Sequence, residues 1–162
     1  MASLVLPNVA ALRELVGKKL GSSDWIEITQ RRIDLFAEAT GDHQWIHVDV
    51  ERARRESPFG TTIAHGHLTL SLSPMLLTQI LEVQNVRLIV NPGIEHIRLR
   101  SPVRCGDKIR MHVTLKELRN VPGGARATMS VSFEIAGQKK PAAFGDMLLV
   151  YYDAMSAVKV EG

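Results

Sequence analysis

The sequence predicts an α+β fold, with helices first and an antiparallel sheet afterwards. Three observations carry this. Apolar residues recur at helical spacing early in the chain, they alternate with polar ones in its second half, and a continuous apolar stretch, Ile63 to Val83, lies between. With 162 residues, 45% hydrophobic and 23% charged, the chain suits one compact domain, 1–162, whose residues 1–20 form an N-terminal extension with a short helix.

That first helix is expected on the surface from Asn8 to Val16, ended by Gly17. A second starts after Thr29, which can cap its free N–H groups, because Ile33, Phe36, Ala37 and Thr40 fall at i, i+3, i+4 and i+7; Gly41 stops it. Asp49 can cap a third through Arg54, before the Pro58-Phe59-Gly60 turn. The segment between them, Asp42 to Val48, is expected to be irregular.

Ile63 to Val83 is long enough to span a bilayer, but it carries His65, His67, Ser71, Ser73, Pro74 and Gln79. So many polar groups would be costly in hydrocarbon, and the stretch reads as a central helix wrapped by a sheet, from Ala64 to about Leu81. Beyond it, Ile109, Met111, Val113 and Leu115 alternate with polar residues, as do Ala127, Met129, Val131, Phe133 and Ile135. Pro122, Gly123 and Gly124 supply the turn of this hairpin. Val86–Val90, Ile94–Arg100 and Phe144–Tyr152 are three more expected strands.

Composition narrows the function. Twenty Lys and Arg against seventeen Asp and Glu leave +3, and no run of positive charge suggests a nucleic-acid partner. The lone Cys105 allows no internal disulfide and reads as a turn residue, which makes the cytoplasm the default compartment. The opening MASLVLPNVAAL lacks a basic start and contains Pro7, a poor export signal.

Candidate chemistry gathers around the predicted loop and the start of the central helix. Gly41 breaks the helix before Asp42, so the loop can turn Asp42 and His47 toward one water, as an acid–base pair for adding water to an activated double bond or removing it. A structural role also fits: Asp42 bonding backbone amides and His47 a satisfied, half-buried side chain. Gly66 follows His65 at the helix start, where free amides could stabilise a carbonyl oxygen gaining negative charge; a glycine needed only for tight packing is the other account. His43, His47, Asp49, His65 and His67 could be ligands, but their spacing argues against a metal site. Ser71 and Ser73 lack the strained elbow of a nucleophile and are expected to bond back to helix carbonyls.

Phe36-Ala37-Glu38-Ala39-Thr40-Gly41-Asp42-His43-Gln44-Trp45-Ile46-His47-Val48-Asp49, followed by Ala64-His65-Gly66, resembles the MaoC-like dehydratases, or (R)-specific enoyl-CoA hydratases, including the NodN-like branch. The likeness spans roughly residues 20 to 152. It implies a hot-dog fold, an antiparallel sheet around a long central helix, and a homodimer whose acyl-CoA tunnel runs along the subunit boundary. It further implies hydration of trans-2-enoyl-CoA to an (R)-3-hydroxyacyl-CoA, with Asp42 and His47 holding the water and the Gly66 amide on the thioester carbonyl. Coenzyme A belongs to the substrate, and no separate cofactor or metal is expected. Gln44 and Trp45 depart from the usual Asn-Pro of that loop. A serine found further along the helix in some hydratases corresponds here to the neighbourhood of Pro74, and His67 stands where a hydrophobic residue is more usual. A hot-dog thioesterase, an acyl-CoA or lipid-binding protein, and a hydratase-like partner subunit are the rival readings. Arg98, Arg100 and Arg104 could meet the phosphates of coenzyme A, or form only a solvated sheet face.

Overall fold

The structure is a computed structural model that describes residues 2–154; residue 1 and residues 155–162 of the expected 1–162 domain lie outside the described residues. In chain order it contains β1 (Leu4–Leu6), a 3-10 helix (Val9–Leu15), β2 (Lys19–Ser22), β3 (Ile26–Glu27), α1 (Gln30–Thr40), α2 (Trp45–Val48) and α3 (Val50–Glu56). There follow α4 (Gly66–Ser71), α5 (Ser73–Thr78), β4 (Leu81–Val83), β5 (Val86–Leu99), β6 (Lys108–Val121), β7 (Gly124–Ile135) and β8 (Ala143–Asp153).

The main sheet is antiparallel, in the order β2-β6-β7-β8-β5, with β3 also on β6; β1 and β4 make a separate parallel pair. The hairpin forms as the alternation requires. Ile109 pairs with Ile135 and Val121 with Gly124, and the turn between them uses Gly123 at φ 77°. Ile109, Met111, Val113 and Leu115 of β6 are buried with Met129, Val131 and Phe133 of β7, and they face Leu68, Leu72, Leu76 and Leu77 of the helical segment in one core. A sheet wrapped around a central helix is the hot-dog architecture, and it agrees with the expected α+β class.

Four local expectations are refined or corrected. The N-terminal helix is a 3-10 helix, capped by Asn8 Oδ1 accepting from the Ala11 N–H at 3.1 Å; it lies at the surface as expected, with Ala10, Arg13 and Glu14 exposed, while Val9 and Leu12 anchor one face in the core. The central helix starts at Gly66, breaks at Leu72 and stops at Thr78. Pro74 explains the break: it has no N–H for the carbonyl of Leu70, and Ser73 Oγ donates to that carbonyl instead. The chain beyond it is needed in β4, where Leu81 pairs with Leu4. Val86–Val90 and Ile94–Arg100 are one strand, β5, whose register shifts between Val90 and Gly93. Pro92 is tolerated there because β5 is an edge. Finally, Asp42–Val48 is not irregular throughout, because Trp45–Val48 closes the single turn α2.

Other expectations hold. Thr29 Oγ1 accepts from the Arg32 N–H at 3.3 Å, Gly41 ends α1 at φ 75°, and Asp49 Oδ1 caps α3 through the Arg52 N–H at 2.9 Å. Among the described residues no helix is long and apolar enough to cross a membrane.

Candidate active site

The site forms where the α1–α2 loop meets the start of α4. A backbone bond from the Ile63 N–H to the Ile46 carbonyl, 3.0 Å, and another from the Ala64 N–H to the Val103 carbonyl, 2.7 Å, hold the approach to α4 between α2 and the chain leading into β6. Gln30 adds a side-chain clamp. Its Nε2 donates to the His47 carbonyl at 2.7 Å and its Oε1 accepts from the buried Thr62 hydroxyl at 2.5 Å.

His47 is 7% exposed, and its Nδ1 lies 2.7 Å from the Ile63 carbonyl. A carbonyl only accepts, so the proton sits on Nδ1 and the neutral ring keeps its lone pair at Nε2. Burial is the main cause lowering the His47 pKa below its usual value. The bond to Ile63 opposes this, the neighbouring His65 imidazole assists it, and Asp42 opposes it.

His65, the residue before α4, is 4% exposed and its ring stacks on His47, with centroids 3.8 Å apart and planes at 26°. Phe36 packs on it at 5.0 Å. Its Nε2–H donates to the main-chain carbonyl of Asp42 at 2.9 Å, while the Asp42 carboxylate oxygen Oδ2 stands 3.9 Å away. Asp42 itself is 55% exposed at its side chain and accepts from the Gln44 N–H at 3.4 Å in a short turn. Gly66 opens α4, so its N–H has no intrahelical acceptor. A Cβ placed there would collide with the side chain of Leu99.

A cleft of about 270 Å³ brings His47 and Gly66 together with Leu99, Arg100, Ser101 and Val103. Asp42 does not line it. The carboxylate joins the site by its closeness to the two imidazoles: Asp42, His47 and His65 each offer an atom within 4.8 Å of the others. That spacing is also the spacing of a possible metal site. The stack is a poor fit to one, because lone pairs in nearly parallel planes run side by side instead of converging on an ion about 2 Å from each nitrogen. Of the five ligand candidates read from spacing, only His47 and His65 belong to this cluster.

Two residues of the site, His65 and Gln30, lie outside the acid–base pair and the helix-start glycine that the sequence marks. His65 carried a signal, since it stands inside the Ala64-His65-Gly66 motif; Gln30 carried none. Ser73 bonds back to Leu70 as expected.

A sheet wrapped on a helix, with a carboxylate and a buried imidazole gathered beside the helix start, defines a hot-dog protein. Residues 12–134 match the family described as MaoC like domain, and the chain belongs to it. It is 45% identical over 145 residues to 3-hydroxyacyl-thioester dehydratase Z of Mycobacterium tuberculosis, covering 89% of this chain and 95% of that one. Nodulation protein N of Rhizobium leguminosarum is 42% identical over 138 residues, with 83% and 85% covered. Among solved structures, the (R)-hydratase from A. caviae involved in PHA biosynthesis superposes with a TM-score of 0.67 at 24% identity, over 83% of this chain and 94% of that one, a likeness of fold.

Proposed function

We propose that this protein is a hydro-lyase, an (R)-specific enoyl-CoA hydratase that reversibly adds water to trans-2-enoyl thioesters. The observation that carries the reading is the arrangement of the His47 imidazole, its proton held on Nδ1 by the Ile63 carbonyl, with a ring nitrogen within 4.8 Å of an Asp42 carboxylate oxygen and sharing one cleft with Gly66. In the hydration direction the water oxygen bonds to C3 and gives up a proton to the Asp42–His47 pair, and the pair returns a proton to C2. Between these events the thioester oxygen carries enolate charge, which the Gly66 N–H stabilises. No electrons are exchanged with a third partner, so the step requires no redox cofactor.

Further features support the same substrate class. A second, mainly apolar cleft of about 460 Å³ lies among α5, β4, β5 and β8, lined by Pro74, Leu77, Ile89, Met147, Leu149 and Tyr151, and offers a place for an acyl tail. Arg100 at the catalytic cleft suits a phosphate of coenzyme A. Edge strand β5 exposes Leu88, Ile89, Val90, Ile94 and Leu99, a band that supports a homodimer joined along this strand. The whole chain then works as one MaoC-like domain, in the cytoplasm where acyl-CoA is found.

The test is loss of enoyl-thioester absorbance with crotonyl-CoA and a longer 2-enoyl-CoA, beside the Asp42→Asn protein. The expected result is turnover to an (R)-3-hydroxy product that falls by about two to four decades in Asp42→Asn. Release of free thiol would mark a thioesterase. Binding without turnover by the wild-type protein would mark a carrier.

A further inference from the structure

His65 lies outside the acid–base pair, yet it is among the most buried polar side chains of the site. Packing alone does not account for a histidine there. Its Nδ1 is buried without a hydrogen-bond partner, a defect that leucine or phenylalanine would avoid while still filling the space beside Phe36. What histidine supplies, and those residues do not, is an N–H at the far edge of a flat ring. The ring lies against His47 and the N–H reaches the main chain of Asp42.

We propose that His65 is a positioning residue for the hydration, a reading that rests on the function proposed above. Its stacked face orients the His47 ring, and its Nε2–H ties down the Asp42 carbonyl, so one side chain sets the separation of the two reacting groups. The 3.9 Å from Nε2 to Asp42 Oδ2 fits this division: the bond is made to the backbone, and the carboxylate stays available to water. Backbone attachment also explains how a side chain that is 55% exposed keeps a defined place.

The test compares His65→Phe, which keeps a stacking ring without the N–H, with His65→Gln, which keeps an N–H near the Nε2 position without the ring. Each is measured as the full chain on crotonyl-CoA, alone and combined with Asp42→Asn. The expected result for His65→Phe is a kcat about 30- to 100-fold lower with KM within about threefold. His65→Gln recovers about tenfold of that loss, and His65→Phe adds less than about threefold once Asp42 is already Asn. A His65→Phe kcat within threefold of wild type, equal losses in the Phe and Gln variants, or a full additional loss in the Asp42→Asn background would each overturn the proposal. If His65→Phe fails to fold, His65→Leu replaces it, with an expected kcat loss at least as large because the stacking ring goes with the N–H, and a kcat within about threefold of wild type overturns the proposal. Amide hydrogen exchange at His43 and Gln44 supplies a readout independent of turnover. It should be about tenfold faster in His65→Phe and near wild type in His65→Gln, and unchanged exchange in both overturns the proposal. Because this holds whether or not the wild-type protein hydrates an enoyl thioester, failure of the positioning role and failure of the functional reading remain distinguishable.

Discussion

The carboxamide of Gln30, at the first residue of α1, donates from Nε2 to the main-chain carbonyl of His47 at 2.7 Å. Its other end accepts from Thr62, just before the Ile63 carbonyl that fixes the His47 ring. One side chain thus laces three segments of the site together without touching the cleft. Gln30→Leu should leave a buried hydroxyl and a carbonyl unpaired, at a cost of about 1–3 kcal/mol in stability. It should also lower kcat by about tenfold to a hundredfold with little change in KM, because α2 is no longer held. Thermal melting and steady-state kinetics check both, and an unchanged kcat would show that α2 needs no clamp.

Acid should switch the enzyme off late. His47 is held neutral mainly by burial, so its pKa lies below the ordinary imidazole value of 6.5. The acid limb of kcat/KM is therefore expected below pH 6.5. The sign for folding is the same: the unfolded chain takes up the proton first, so the His47 contribution to stability is full above about pH 6.5 and declines as pH falls toward the folded pKa. Titration of the His47 ring by NMR and a pH–rate profile test this. A limb at or above pH 6.5 would contradict it.

Gly66→Ala should hurt catalysis more than folding. The added methyl meets the flexible end of Leu99, which can move, but it also stands beside the amide proposed to bind the thioester oxygen. A loss of about two to three decades in kcat is expected, with a melting temperature close to that of wild type. The double variant Gly66→Ala, Leu99→Ala separates the two effects. It relieves the collision, and its activity should stay low.

Filling the second cleft should change which substrates are used. Leu77 lines it from α5, and Leu77→Trp would occupy the space assigned to the acyl tail. The expected outcome is a kcat/KM for a long 2-enoyl-CoA reduced by about tenfold or more while crotonyl-CoA stays within about threefold, at about 1–3 kcal/mol in stability from overpacking. Equal losses on both substrates would place the tail elsewhere.

What the sequence by itself determined is whatever depends on neighbours along the chain. Thr29 and Asp49 mark helix starts because each side chain bonds an amide three residues on, Gly41 marks a helix end because it takes the left-handed conformation, and the alternation through β6 and β7 assigns each side chain to a face with a period of two. The Asp42-to-His47 loop and the Gly66 helix start were legible for the same reason, each lying within a single short motif. Only the tertiary structure decided the rest. It ended the helical segment at Thr78 and gave Leu81–Val83 to β4, since a partner strand 77 residues earlier, Leu4 for Leu81, competed for them. It also joined the two expected strands into β5, where an edge position excuses Pro92 from donating a hydrogen bond. The stack of His47 on His65 and the clamp by Gln30 belong to this second class as well. Each joins residues from separate elements, and no periodicity or cap records a contact that exists only after the loop has closed and water has left the space between them.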